Sequence, residues 1–364
     1  EPTDITLVET EAADCTVDAV ALVEQLADAP FDFEHGPLAR LIVAPATDVT
    51  LFVLVVDHVV ADFWSLDVLM RDLTTCYDAE LGLPTGTLPA IPLPYPEQVR
   101  RQNAYLESPQ GRRALHHVTE GLKDLGPVPA THMAGFTGAT SARYDHTGLV
   151  RATLDSCMTR AVFSAARRAR MSPWSLIHAA VHAALHDLTD QPAVGTMLMT
   201  ANRESESVHQ TVGFLASKVV VATGRDMGAG ADTAKFLKDF QRAVIGALDS
   251  TEIPWPRIIA AMEPESFGCH SRVPYISFNP QVSTMRRWVG NWQITGCETA
   301  PLDLSGSTPD AAIIISLTEQ EKDVSVTLYH RSDWYPAHAV ENFWATVDRK
   351  LRTWLDEAGV DATP

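Results

Sequence analysis

The alternation of apolar and polar positions along the chain predicts a mixture of strands and helices. A β-branched apolar run at 51–56 is typical of a buried strand. A shorter apolar run lies at 41–44, and Thr47-Asp48 between the two runs favours a hairpin, so we expect antiparallel neighbours. From 64 to 81, the apolar positions 66, 69, 70, 73 and 77 keep the spacing of an amphipathic helix.

The same patterns predict the remaining elements. Helices are expected at 17–27, over 97–123 as one or two segments, and at 156–170, 174–188, 232–248 and 336–355. Strands are expected at 147–154, 194–199, 217–221, 275–278, 311–317 and 323–329. Ser172 is the predicted N-cap of the helix that Pro173 begins. This irregular alternation indicates an α/β (α+β) fold in two lobes, 1–150 and 151–364.

Composition narrows the class of protein. A chain of 364 residues with 46% hydrophobic content is large enough for two lobes with their own cores, and its net charge of −18 argues against nucleic acid or anionic membranes as partners. The five cysteines include no C-x-x-C pair, which favours a reduced, cytoplasmic protein over a disulfide or zinc framework. No apolar run is long enough to span a bilayer. The N-terminus has no signal-peptide character. Because the chain starts at Glu1 without an initiator methionine, we expect a piece of a longer protein.

The candidate chemistry lies at the end of the run 51–56. Asp57 and His58 follow it directly, and Asp62 comes four residues after the histidine. An imidazole at the mouth of a strand, with a carboxylate one turn on, is a typical placement for a general base, although a histidine there can also serve only to cap the strand.

Other histidines are weaker candidates. His178, His182 and His186 repeat every four residues on one helix, and two such histidines can share a metal ion. No acidic or cysteine partner is evident nearby, so we expect a polar helix face and no metal site. His116-His117 is expected at the surface.

Four segments, in order along the chain, carry a family resemblance. They are Phe-Asp-Phe-Glu-His-Gly-Pro-Leu at 31–38, Asp-His-Val-Val-Ala-Asp-Phe-Trp-Ser at 57–65, Val194-Gly195-Thr196 through Asn202-Arg203, and Gly213-Phe214-Leu215 followed by the valines 219–221. They resemble the FDLxxGPL, HHxxxDGWS, VGTPVANR and GFFVNTLPLR segments of nonribosomal peptide condensation domains, with Ser217 at the usual Asn position. The resemblance implies two chloramphenicol-acetyltransferase-like lobes forming a V with a central tunnel. We expect the first lobe to be incomplete at its N-terminus, because the family's first strand and helix do not precede these segments.

The resemblance also implies a reaction and its residues. A condensation domain forms an amide bond between a carrier-bound acyl or peptidyl thioester and an amine. His58 matches the functional histidine, and Asp62 matches an aspartate expected to form an ion pair with Arg203. The predicted tunnel residues are Phe63, Trp64, Ser65, Tyr275, Ser277, Asn279 and Ser305.

The partners follow from the same resemblance. Peptidyl carrier protein domains would bring the substrates, and the phosphopantetheine arm belongs to them, so no bound cofactor is expected. The arginine groups 100–101, 112–113 and 167–170 can dock an acidic carrier or simply form solvated helix faces.

The chain departs from the family motif at two positions. Asp57 replaces the first histidine, and a carboxylate beside His58 favours the charged imidazole. Related plant acyltransferases keep only the His-x-x-x-Asp core, so this change is compatible with activity. Phe63 replaces the motif's glycine where substrate arms approach, and its ring either fills the channel or turns into the core.

These departures leave two alternatives open. The first is a catalytically inactive platform that recruits a tailoring enzyme, such as a cytochrome P450, to a carrier-bound peptide. The second, less favoured, is a heterocyclization domain, since Asp57, Asp62 and Ser65 satisfy the Asp-x-x-x-x-Asp-x-x-Ser pattern. Against it, His58 is kept where cyclizing domains carry an aliphatic residue, and Gly213-Phe214 does not complete their GDFT segment.

Overall fold

The structure, a computed structural model, describes residues 5–47, 49–90, 93–126, 129–137, 147–224, 232–263, 273–281 and 311–360. The chain forms two compact units whose segments alternate along the sequence. The described part of the first unit lies within Glu1–Gln98 and Arg203–Leu215, and that of the second within Val99–Asn202, Ala216–Thr284 and Thr308–Pro364. These bounds differ from the lobes predicted at 1–150 and 151–364.

The first unit contains a small sheet. Its strands are β1 (Thr6–Glu9), β2 (Ala39–Pro45) and β3 (Thr50–Val56), with β1 parallel and β3 antiparallel to β2. The antiparallel pairing predicted for the two apolar runs is therefore confirmed. Helix α1 (Thr16–Ala27) covers one face, where Val23 packs against Ile42 and Ala44.

The prediction that β3 is a buried strand was wrong in its burial. Most of its residues are half-buried, and Phe52 keeps 44% of its surface exposed. In the described part of the chain, β3 is an edge strand and α1 covers only one face of the sheet. The apolar run therefore reflects β-branched strand formers rather than complete burial.

The helices lie close to their predicted positions. They are α2 (Phe63–Glu80), α3 (Tyr95–Glu107), α4 (Pro109–Leu122), α5 (Ser156–Ala169), α6 (Pro173–Leu188), α7 (Thr233–Leu248), α8 (Trp255–Met262) and α9 (Ala337–Glu357). The Ser172 hydroxyl accepts the Ser175 amide, which confirms the predicted N-cap of α6. The sequence patterns missed α8 and β1, because eight and four residues are too few to establish a period. Within the described ranges, no helix is both long and apolar enough to cross a membrane.

The second unit is built on a mixed sheet. Its strands are β4 (Thr147–Leu154), β5 (Ala193–Thr200), β6 (Ser217–Gly224), β7 (Ile276–Gln281), β8 (Ile313–Glu319) and β9 (Val324–Arg331), in the order β4-β9-β8-β7-β5-β6. The pairs β5–β7 and β7–β8 are parallel, and the others are antiparallel. Alternate residues face opposite sides: Val219 and Val221 join the main core, whereas Val220 packs with residues of α4 and α8.

The histidine line on α6 is not the polar face that we predicted. His178, His182 and His186 are all buried, and none keeps more than 3% of its surface exposed. The sheet supplies their partners: the Thr196 hydroxyl lies 2.6 Å from His178 Nε2 and 2.9 Å from His182 Nε2. The Thr223 hydroxyl lies 2.8 Å from His182 Nδ1 and 2.9 Å from His186 Nε2. Because each buried nitrogen in these contacts meets a hydroxyl, the histidines pack into an otherwise apolar helix layer.

Burial keeps the His178 and His182 imidazoles neutral. It lowers the pKa of His178 from 6.5 to about 3, and it lowers the pKa of His182 well below 6.5 with the neighbouring imidazoles adding to the effect. Below pH 6.5 these histidines therefore bind protons in the unfolded chain but not in the folded chain. The contribution of the neutral His178 to the free energy of unfolding is therefore fully present above pH 6.5 and is lost progressively as the pH falls toward 3.

The buried histidines of α6 predict that the second unit loses stability as the pH falls. The buried His178 imidazole should reduce the free energy of unfolding by about 1.4 kcal/mol per pH unit below 6.5. Urea unfolding of His178→Phe between pH 6 and pH 4.5 should show a shallower dependence on pH by about that amount. Replacement of the exposed His116 by Gln is the matched control and should leave the slope unchanged. Equal slopes for His178→Phe and the parent protein would contradict the assignment.

Candidate active site

His58 is held on a tight turn that follows β3. The Asp57 amide donates to the Leu38 carbonyl at 2.9 Å and so continues the pairing with the residue before β2. The Asp57 carboxylate then accepts the Val59 amide at 2.9 Å, and the Val60 amide donates to the Asp57 carbonyl. Asp57 thus shapes the turn, since an Asx side chain that binds the amide two residues on stabilises this geometry. Among the described residues, no hydrogen bond joins the Asp57 carboxylate to the His58 ring.

One ring nitrogen of His58 forms a hydrogen bond with the backbone. Its Nδ1 lies 2.8 Å from the Ala61 carbonyl oxygen, and a carbonyl can only accept, so the neutral ring carries its proton on Nδ1. Within the described ranges Nε2 makes no hydrogen bond, so its lone pair can accept a proton. The side chain is exposed, and within the described part of the chain its ring contacts Phe214 at a centroid distance of 4.8 Å. This is the geometry expected of a general base.

Asp62 forms the centre of a buried polar cluster at the start of α2. It is the N-cap of this helix, and its Oδ1 accepts the Ser65 amide at 2.8 Å. Its Oδ2 accepts the Leu215 amide at 3.1 Å. One carboxylate therefore joins the helix that follows His58 to the distant segment Arg203–Leu215.

The predicted ion pair between Asp62 and Arg203 is confirmed. The Arg203 Nη2 lies 2.9 Å from Oδ1 and 3.1 Å from Oδ2 of Asp62. The Asp62 side chain keeps only 3% of its surface exposed and the Arg203 side chain only 1%. The pair does not use the two-nitrogen fork of a bidentate guanidinium–carboxylate contact. The Nη1 instead donates to the carbonyls of Val208 and Thr211, at 2.6 and 2.7 Å. Burial lowers the pKa of the Arg203 guanidinium, and the adjacent Asp62 opposes that change.

Ser65 completes the cluster rather than presenting its hydroxyl to solvent. It is fully buried, and its Oγ lies 2.7 Å from Asp62 Oδ1, to which it can donate its single proton. The same oxygen accepts the Gly213 amide at 3.0 Å and lies 3.1 Å from Arg203 Nη2. The hydrogen-bonding capacity of the Ser65 hydroxyl is therefore used by protein groups. This structural role accounts for a serine at position 65 without heterocyclization chemistry.

Trp64 packs against the other side of the arginine. Its Nε1 donates to the His209 carbonyl at 2.7 Å, and the Arg203 guanidinium lies 5.5 Å from the centre of its ring. His209 in turn places its Nε2 2.9 Å from the Arg203 carbonyl. Trp64 was predicted to line a tunnel; the structure places its polar atom in this buried cluster.

Two of the residues that shape the cluster had no predicted role. Nothing in the sequence around His209 indicates its contacts with Trp64 and Arg203. Gly213 was part of a recognised segment, but only the structure shows why this position requires glycine: a Cβ would lie 2.2 Å from the Tyr95 ring. The segment enters this arrangement through Asn202, whose left-handed φ of 51° suits asparagine.

Phe63 does not turn into the core. It is the first residue of α2 and keeps 48% of its surface exposed. Of the two orientations considered from the sequence, burial in the core is therefore wrong. A position at the N-terminus of a helix, beside the buried Asp62, directs this ring outward.

The other predicted residues belong to the second unit or lie outside the described residues. Tyr275 and Ser277 are buried, the first just before β7 and the second within it, and Asn279 on the same strand is half-buried. Their part in a tunnel stays a prediction, and Ser305 lies outside the described residues. The arginines at 100–101, 112–113 and 167–170 are exposed, as expected. In the described ranges, no group of three or more His, Cys, Asp or Glu side chains is arranged to hold a metal ion.

Comparison with known proteins identifies the family. The Condensation domain family matches residues 2–343. The chain is 25% identical to chondramide synthase cmdD of Chondromyces crocatus, over 86% of this chain and 8% of that protein. It is 22% identical to malpinin synthetase of Mortierella alpina, over 91% of this chain and 4% of that protein. The chain thus spans a small part of these relatives.

Solved structures agree on the fold. The condensation domain from the monacolin K polyketide synthase MokA matches with a TM-score of 0.77 at 16% identity, covering 99% of this chain and 81% of that one. The X-domain in complex with OxyB from teicoplanin biosynthesis matches with a TM-score of 0.78 at 16% identity, covering 100% and 80%. At this identity the matches establish the fold alone, and they confirm the chloramphenicol-acetyltransferase-like α/β fold expected from the resemblance.

The ion pair predicts a large, specific loss of stability. Arg203→Met leaves Asp62 buried without its countercharge and should lower the free energy of unfolding by about 3–5 kcal/mol in urea titrations. Arg352→Met, which removes a more exposed pair with Asp348 on α9, is the matched control and should cost less than about 1 kcal/mol. In the double variant Asp62→Asn/Arg203→Met, part of the loss should be recovered because no lone charge remains. Similar losses for Arg203→Met and Arg352→Met would contradict the account.

Proposed function

The chain belongs to the Condensation domain family, and from this membership and the geometry of His58 we propose that it forms amide bonds in nonribosomal peptide biosynthesis. Its substrates would be a carrier-bound acyl or peptidyl thioester and an amine. The observation that carries the proposal is the exposed imidazole, whose Nδ1 is bound to Ala61 while Nε2 stays available.

His58 would act on the proton of the amine. The nitrogen attacks the thioester carbonyl, and a C–N bond forms as a tetrahedral intermediate develops. Nε2 accepts the proton that the nitrogen must lose, and the C–S bond then breaks to release a thiolate, which takes up that proton. The Ala61 carbonyl supports this role, because it stabilises the Nδ1–H and so the imidazolium that forms. The leaving thiol belongs to the phosphopantetheine arm of the carrier protein.

Asp62 and Arg203 would be positioning residues rather than catalytic ones. Their charged atoms are buried and bound to each other, so they cannot reach a substrate. Asp62 instead fixes the start of α2 at one end of the turn that carries His58. Asp57 has the corresponding role at the other end of the turn.

Turnover with loaded carriers tests the proposal. We expect amide product from the parent domain given donor and acceptor peptidyl carrier proteins, and a loss of about 10²–10⁴-fold in rate for His58→Ala, since general base catalysis contributes on that order. Product would be followed by mass spectrometry of the acceptor carrier. His116→Ala, which removes an exposed histidine outside the site, is the matched control and should retain full activity. Equal product from the parent and His58→Ala would rule out the assigned role.

A second candidate is an inactive platform that recruits a tailoring enzyme, for instance a cytochrome P450, to a carrier-bound peptide. The observation that favours it is the half-exposed Phe63 ring, where the family motif carries glycine. The X-domain, whose structure was solved with OxyB, shares the fold of this chain. Both candidates use a carrier protein, but only the first needs His58.

Phe63→Gly separates the two candidates. If the phenyl ring blocks substrate approach, the parent should be inactive with loaded carriers, and Phe63→Gly should gain turnover that Phe63→Gly/His58→Ala lacks. A platform in which the ring forms part of a binding surface should remain inactive in both variants. In that case, the affinity for the tailoring oxygenase of its own pathway should fall with Phe63→Gly and stay unchanged with His58→Ala, as measured by calorimetry.

A further inference from the structure

We propose that Phe214 is a positioning residue that holds the His58 imidazole with its Nε2 directed away from the protein. The inference rests on the proposed function, in which this nitrogen takes the proton. The two rings lie 4.8 Å apart at an interplanar angle of 53°, and Phe214 keeps 41% of its surface exposed. The ring is thus placed against the imidazole rather than within the core.

The position of Phe214 is fixed through its backbone neighbours. On one side, the Gly213 amide donates to Ser65 Oγ at 3.0 Å, and the Gly213 carbonyl lies 3.3 Å from Arg203 Nη2. On the other side, the Leu215 amide donates to Asp62 at 3.1 Å. The polar cluster therefore holds the residues before and after Phe214 and so fixes the backbone position from which its ring extends.

A further contact fixes Phe214 itself. The Tyr95 hydroxyl donates to the Phe214 carbonyl at 3.2 Å, and the Tyr95 ring packs where Gly213 lacks a side chain. Leu215 is buried with Leu93 and Val208, which anchors the chain just beyond the exposed ring. With its backbone bound on both sides, Phe214 presents its ring to the His58 imidazole from a fixed position.

This arrangement makes the buried ion pair act on His58 by two routes. Asp62 fixes the end of the turn that carries the histidine, and the same carboxylate fixes Leu215 beside the ring that packs on the imidazole. A single hydrogen bond from Nδ1 to Ala61 leaves the imidazole free to rotate about its Cβ–Cγ bond when that bond opens. The Phe214 ring restricts that rotation, so the Nδ1–H tautomer is kept and Nε2 remains the basic nitrogen.

The test uses a signature that does not depend on turnover. In long-range ¹H–¹⁵N spectra of ¹⁵N-histidine protein at pH 8, with His58 assigned by comparison with His58→Ala, we expect the Nδ1-protonated pattern. Phe214→Ala should shift His58 toward averaged nitrogen signals, because the Nδ1 hydrogen bond to Ala61 then opens more often and the two tautomers exchange. Phe214→Tyr, which keeps the aromatic wall, should restore the parent pattern. Phe52→Ala removes a similarly exposed phenylalanine from β3 and should change nothing.

The outcomes separate this inference from the proposed function. An unchanged His58 pattern in Phe214→Ala, with the far-ultraviolet circular dichroism and thermal midpoint of the parent, would overturn the positioning role. So would an averaged pattern already present in the parent. If the parent turns over loaded carriers, Phe214→Ala should lower kcat by about tenfold with a smaller change in KM, since misplacement of a catalytic group acts on the chemical step. If the parent shows no turnover, the proposed function fails while the spectra still decide the role of Phe214.

Discussion

The buried ion pair between Asp62 and Arg203 is the interaction on which the described site depends. Two charges are stable in a dry environment only when each is compensated and further hydrogen bonds offset the loss of water. Here Asp62 also accepts amides of Ser65 and Leu215, and Arg203 also donates to the carbonyls of Val208 and Thr211. The pair therefore joins the start of α2 to a segment more than 140 residues further along the chain. These contacts restrict the backbone of both segments.

Because that segment is fixed, the surface around His58 is fixed as well. The histidine lies between two residues that bind the backbone, Asp57 at the start of the turn and Asp62 at its end. Asp57 replaces a histidine of the family motif, yet its carboxylate is used by the Val59 amide and shapes the turn. The change at Phe63 is of a different kind, because it adds an exposed ring for which the described residues show no compensating contact. Of the two departures from the motif, the one at Phe63 therefore bears on access to His58, whereas the one at Asp57 is accommodated by the turn.

The histidines of α6 show where sequence reasoning failed and why. Their spacing suggested a polar face, since a line of imidazoles on one side of a helix usually meets water. In the second unit they meet the hydroxyls of Thr196 and Thr223, which lie on β5 and β6 and can be assigned to them only once the helix is packed on the sheet. The same limit applied to β3, whose apolar residues form a half-buried edge of the described sheet rather than a buried strand.

Local patterns in the sequence determined the positions of nearly all predicted helices and strands, the cap of α6, the pairing of β2 with β3, and the family to which the chain belongs. They also identified His58, Asp62 and Arg203, because motif residues keep a fixed spacing from the ends of regular elements. Only the tertiary structure decided which nitrogen of His58 is free, that a single nitrogen of Arg203 binds Asp62, and that Phe214 packs on the imidazole. Those facts depend on contacts between residues far apart in the chain, and the direction of a side chain is set by such neighbours rather than by its own segment.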